Sequence, residues 1–470
     1  MKPHGWLGSL LTGLCVAIPL LAVGCHHQPA PPAKTTPQMR LDWNLNTLVV
    51  AYDKNLEGNL NGEDSAHAAL TEFARVRAKV CDDAEPWVEI ISTNCQAAIN
   101  AGCDDPQVRY LYLRYSPEGQ NMEATARAAA MLKVAEKMEK SNYPPIRKFY
   151  AQFRAMEYIN ETYNYRFTNM PPEAQSFVTQ NNIMVYINQA LADKAIPVEE
   201  AYDACHELLL KTYDKNLYQD TSGSFQSIFS NRWPETELSL LLKGETHYQM
   251  AWHARGGGYA NKVTPEGWKG FQDHLAVADD ALNRAWKIDS KDVRIPNLMI
   301  KLAEAMQKSR PEMDAWFDRA MDLNPANYEA CTAKLHYLYP QWYGSREDML
   351  AFGRECVKNS DWSGEVPLIL ADAHWDYSRY LQAAERTNYW KQPDVWPDIK
   401  ASYTRFFQVN TNSLPWHHNL AWYAYQCGQW DEFINQLPQM GYTNYEYFGG
   451  KDVFDSMVQT ARANGSHSQN

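Results

Sequence analysis

Apolar residues recur at helical spacing over most of this chain. Ser65 to Cys81 reads SAHAALTEFARVRAKVC, which predicts a helix with Ser65 as its N-cap. Glu123 to Lys140 is rich in alanine and methionine with interleaved charges, a strong helix-forming composition. Tyr328 to Leu338 predicts a further helix that Pro340 ends. Alternating apolar and polar runs are scarce, and Leu48-Val49-Val50 is the one strand-like cluster. The expected fold class is therefore all-α.

Within this pattern three stretches share a shape: Ala278 to Asp289, Met313 to Pro325 (MDAWFDRAMDLNP) and Ile399 to Asn410 (IKASYTRFFQVN). In each, a bulky residue precedes a smaller or flatter one by three positions, and an aliphatic follows three later. The sets are Leu282/Ala285/Ile288, Phe317/Ala320/Leu323 and Tyr403/Phe406/Val409. Ala285 and Ala320 are 35 residues apart. The pattern resembles the second helix of a tetratricopeptide repeat, A-x3-F-x2-A-x2-L-x-P, whose period is about 34 residues. The match falls on Ala278, Leu282, Ala285, Ile288 and Ser290, and again on Met313, Phe317, Ala320, Leu323 and Pro325. Leu420 to Trp430 resembles a first helix, with Gly428 opening the turn. Met313 and Phe433 replace alanines, and Ser290 and Thr411 replace the turn proline, so the repeats are degenerate. The resemblance covers residues 235–435 best and 64–165 more weakly. It implies stacked antiparallel helix pairs, an α-solenoid in one lobe or two, with a surface for a protein or peptide partner. Residues 244–375 also resemble an uncharacterised group of bacterial proteins of this type.

The ends change the picture of where such a fold would work. Met1 to Gly24 has one early lysine, Lys2, and an apolar stretch from Trp6 to Val23. This suits a cleaved signal peptide. Its end, Leu21-Ala22-Val23-Gly24-Cys25, resembles a bacterial lipobox, although Ala22 stands where leucine is usual. The resemblance implies lipidation of Cys25 by acyl chains such as palmitate. Two or more chains anchor stably where one does not. His26 to Gln38 (HHQPAPPAKTTPQ) reads as a proline-rich tether. The expected organisation is a signal peptide at 1–24, a lipidated tether at 25–40, a helical domain at 41–225 and a repeat domain at 226–465.

Composition narrows the partners. The net charge is -12 with the acidic residues dispersed, which argues against nucleic acid. The body carries Cys81, Cys95, Cys103, Cys205, Cys331, Cys356 and Cys427 without a CxxC spacing, so no zinc ribbon or redox pair is signalled. The proximity of Cys81, Cys95 and Cys103 allows one local bridge.

Candidate chemistry is sparse. Arg255-Gly256-Gly257-Gly258 lacks a P-loop or dinucleotide pattern and reads as an inter-helix loop, ended by a helix that Thr264 caps with Pro265 in its first turn. Asp53 to Gly58 followed by Asp64 matches a calcium loop only in part. His206, His247, His253, His274, His336 and His374 form no ligand face by spacing, and neither HExxH nor GxSxG occurs. No catalytic residue, metal or cofactor is implied. With 16 Trp and 28 Tyr, aromatics serve first to fill helix contacts and second as a binding edge. Trp342, Tyr343, Trp416 and Trp422 are the candidates for that edge. In YPQWYGSREDM, Gly344 predicts a turn, and Ser345 with Asp348 predicts the start of the next helix. The leading expectation is a membrane-anchored, extracytoplasmic scaffold for a protein partner. The alternative is an extracytoplasmic enzyme or glycan-binding protein with an aromatic-lined site.

Overall fold

The computed structural model of the chain describes residues 36–55, 62–81, 86–212, 215–410 and 413–465. Cys25, the signal segment and most of the tether lie outside them. The described residues are all-α: helices packed on their neighbours, with no strand among them.

The first helix, Pro37–Asp53, is capped by Thr36, whose hydroxyl accepts from the Met39 N–H at 3.1 Å. It begins inside the stretch expected to be tether. It also absorbs Leu48-Val49-Val50, so the strand reading is corrected. Trp43, Thr47, Leu48, Ala51 and Tyr52 lie buried on one face of the helix, and that face overrides the local β preference of two adjacent valines. Ser65 is likewise not a cap. The N-cap lies three residues earlier at Gly62, and Glu63 and Asp64 occupy the first turn of the helix Glu63–Arg77.

Further along, the three sequence look-alikes prove to be one structural device. Each helix buries residues on one face at the same spacing: Ala278, Ala281, Leu282 and Ala285; Met313, Trp316, Phe317 and Ala320; Ile399, Ser402, Tyr403 and Phe406. Four residues after the last of these comes Asp289, Asn324 or Asn410 in an extended conformation. Its backbone N–H closes the helix on the carbonyl of Ala285, Ala320 or Phe406. The Asp289 and Asn324 side chains then each accept the N–H two residues on, at 2.9 Å, turning the chain toward the next helix. The expected closing aliphatics contribute less than the pattern implies: Ile288 is 41% exposed.

A fourth copy ends at Asn359, whose side chain accepts from the Asp361 N–H at 3.0 Å. Here the buried set is Met349, Phe352, Gly353 and Cys356. Relative to the preceding copy that face has slipped one residue against the cap. Gly353 takes the place of a phenylalanine, and a Cβ there would stand 2.7 Å from the Leu370 Cα. The helices Arg346–Lys358 and Ile369–Tyr380 therefore meet closely at this point.

Alternate helices pack in line. Val198–Leu210 contacts Glu237–Arg255, which contacts Arg294–Ala305, then Tyr328–Tyr337, then Ile369–Tyr380. The intervening helices Pro265–Ile288, Arg310–Leu323 and Arg346–Lys358 pack behind them. The helix Lys215–Arg232 carries the chain through positions 225 and 226 without a break, and one hydrophobic core runs from Trp43 to Ala373. Smaller clusters follow around Tyr403 and around Phe433. Cys95 and Cys103 are fully buried thiols, and Cys81 Sγ donates to Glu72 Oε1 at 3.6 Å, so the local bridge is not made. No helix among the described residues is long and apolar enough to cross a membrane.

Candidate functional site

The in-line helices leave a groove of about 590 Å³ along their shared face. His206 and Leu209 enter from Val198–Leu210, and Glu245 and Gln249 from Glu237–Arg255. Arg294, Leu298 and Lys301 enter from Arg294–Ala305, and Glu329 from Tyr328–Tyr337. Successive turns of a helix present the same face, so each helix can offer two or three side chains to one groove.

The polar groups are already engaged with one another. Glu245 accepts from the Tyr202 hydroxyl at 2.6 Å and pairs with His206 Nδ1 at 3.1 Å. Burial would depress the His206 pKa, but the hydrogen bond and charge of Glu245 outweigh it and raise it. Arg294 is held by Asp292 and lies 4.6 Å from the Tyr202 ring centre. Glu329 accepts from Lys301 Nζ at 2.7 Å and Asn297 Nδ2 at 3.0 Å. Asn297 in turn accepts from Asn327 at 2.8 Å. The charges alternate in sign and remain in contact with solvent. No Ser, Thr or Cys side chain bonds to His206 among the described residues, so a nucleophile–base pair is not assembled here.

Beyond the groove the same line of helices turns aromatic. His336 Nδ1 meets Glu304 at 2.6 Å and its ring lies 4.6 Å from Tyr339. The Tyr339 hydroxyl donates to Asp376, and the Tyr328 hydroxyl donates to Asp372 at 2.7 Å. Burial pushes Asp372 up to about 7 against the Tyr328 hydrogen bond, with Asp376 and Glu365 adding to the rise.

Trp342 and Tyr343 sit at this end, their ring centres 6.4 Å apart. The turn that carries them is closed by the Trp342 N–H on the Tyr339 carbonyl at 2.8 Å. A Cβ at Gly344 would fall 2.2 Å from the Leu338 carbonyl oxygen, so only glycine fits. Ser345 caps Arg346–Lys358 by accepting from the Asp348 N–H at 3.1 Å, as its sequence predicts. The Tyr343 hydroxyl donates to the Glu304 carbonyl at 3.1 Å, which ties this loop to the groove helix Arg294–Ala305. Trp416 and Trp422 are elsewhere. Trp416 packs on Phe406 at 5.2 Å, and Trp422 packs between Trp375 and Trp390 at 5.4 and 5.9 Å. The four expected aromatics thus divide into one pair and two separate packing residues.

Two other sequence candidates resolve simply. Thr264 caps Pro265–Ile288, and Arg255 folds over its own glycine loop onto Trp252 and Trp268, so the loop is a connection. Asp53 meets His67 Nε2 at 2.6 Å with Glu63 alongside, whereas residue 57 of the supposed calcium loop lies outside the described residues. The histidines are not all isolated, however. His247 and His274 place their Nδ1 atoms 3.0 Å apart, and burial with the neighbouring His274 drives His247 down to about 4.

Spacing along the chain conceals the groove, because its residues come from five helices between positions 206 and 329. The one available signal is the line of polar residues on otherwise apolar helices. No protein-family model matches the chain, and no curated protein matches it significantly.

Proposed function

We propose that the chain is a membrane-anchored extracytoplasmic lipoprotein whose helical-repeat surface, similar to that of tetratricopeptide proteins, is a scaffold for a protein or peptide partner. The observation that carries this is the open groove from His206 to Glu329, built by helices that pack in line. Its polar groups alternate in charge and are spread over four helices, which suits an extended peptide that offers both donors and acceptors along its length. The recurring Asx-capped helix supports the repeat reading, and the lipobox-like LAVGC supports the anchor.

The test places a photo-cross-linking residue at Gln249, inside the groove, or at exposed Lys269, on a helix behind it. A partner captured from position 249 and not from 269 is expected. Equal capture from both, or none from either, overturns the scaffold reading. Separately, Cys25→Ala moves the protein to the soluble fraction; retention in the membrane overturns the anchor.

A further inference from the structure

A second feature lies well away from the groove, in the core of the first helices. Arg147 is only 2% exposed. It donates through Nη2 to Asn44 Oδ1 at 2.6 Å and Thr47 Oγ1 at 2.7 Å, both neutral. Its Nε is buried and has no partner. The same residue lines a small cavity of about 10 Å³, the size of one water, together with Arg77, Arg114, Gln107, Tyr110 and Tyr150. No carboxylate lines it. Gln107, on the cavity wall, is 2% exposed.

The carboxylates near this cavity stand behind its lining and contact its guanidinium groups unevenly. Arg77 is matched by Glu200 through bonds of 3.0 and 2.7 Å. Arg114 reaches the Tyr110 hydroxyl at 2.9 Å and lies over the Tyr110 and Tyr115 rings, without a carboxylate in contact. Arg154, nearby, is engaged by Glu157 and Glu207. Two of the three cavity-lining guanidinium groups therefore hydrogen-bond only to neutral groups, with Glu200 and Glu207 acting on Arg147 and Arg114 from beyond contact. A buried charge is costly unless it is paired, and a water molecule would satisfy Arg147 Nε without neutralising anything.

We propose that this cavity binds a small monovalent anion of halide type, held by Arg147, Arg114 and the Gln107 amide. A monoatomic ion fits a water-sized space where carboxylate, phosphate or sulfate does not. Such an ion would join the helices that carry Gln107, Arg114 and Arg147 to Arg77 on Glu63–Arg77.

Two measurements on the full chain test it. Crystals grown in sodium bromide are expected to show an anomalous peak in the cavity lined by Arg147, Arg114 and Gln107. Thermal unfolding is expected to rise saturably by about 2–4 °C in sodium chloride over sodium gluconate of equal ionic strength. The chloride increment disappears in Arg147→Met; Gln107→Leu is read instead if that variant does not fold. A cavity with no anomalous signal holds water and overturns the proposal. A peak without a stability increment means an adventitious ion only, and an increment without a peak means stabilisation from another place. Either overturns it too.

Discussion

The part of the molecule before residue 210 and the part from 265 to 410 are both all-helical, but they are held together by different means. In the later part, contacts are local. Each helix packs on the next and the next but one, aromatic rings fill the contacts, and Asp289, Asn324, Asn359 and Asn410 end four helices in the same way. In the earlier part, buried and half-buried arginines span long distances in sequence. Arg40 reaches Glu199 at 3.0 Å, Arg77 reaches Glu200, and Arg147 reaches Asn44 and Thr47. Helices that pack on their neighbours in the chain need no long-range bond. Before residue 210, ionic clamps tie the first two helices to Val198–Leu210.

The comparison is broken most severely by Arg77→Met. It leaves Glu200, 2% exposed, without its partner, at a cost of about 3–5 kcal/mol. Denaturant melts are expected to show this loss, and hydrogen exchange is expected to place it before residue 210. A loss of protection spread evenly along the chain would show that the two parts do not differ.

Acidity sharpens the contrast, because the key carboxyls respond with opposite sign. Burial opposes ionisation of Glu200, but Arg77 outweighs it and holds the carboxyl below the usual range. Its contribution is present above the ordinary carboxylate pKa and is lost as pH falls through the depressed one. Asp372 is raised to about 7, so its contribution is present below the ordinary pKa and is lost as pH rises toward 7. Asp372→Asn is expected to gain about 1–2 kcal/mol at pH 7, allowing for solvent screening, and nothing near pH 3. A gain independent of pH would refute that assignment.

The smallest effect belongs to the Asx turns that end these helices. Asn324→Ala removes the bond to the Ala326 N–H and is expected to cost about 0.5–1 kcal/mol, with no change before residue 210 by hydrogen exchange.

These differences also explain which parts were legible in the sequence. The helical period and the three look-alike stretches were readable because their buried faces keep one spacing relative to the cap. The copy ending at Asn359 was hidden by its one-residue slip: counted from the cap, exposed Glu355 stands where an alanine is expected, and counted along the buried face, Gly353 stands where a phenylalanine is expected. The turn at YPQWYGS was legible because Gly344 and Ser345 act locally. The valines at 49 and 50 misled because burial of Trp43, Leu48 and Tyr52 on one face decided their conformation. The groove and the arginine clamps were not legible at all. They join residues up to 159 positions apart, as in Arg40 with Glu199, and only the fold brings these together.

The clamp at Arg40 has a mechanical meaning. Its Nε donates to the Ala78 carbonyl at 3.0 Å while Nη1 holds Glu199, so one guanidinium grips two other parts of the chain three residues into the first helix. A pull on the chain ahead of Thr36 would load that grip almost at once. The first helix would then resist in shear, with its bonds strained together, and would not peel away one turn at a time.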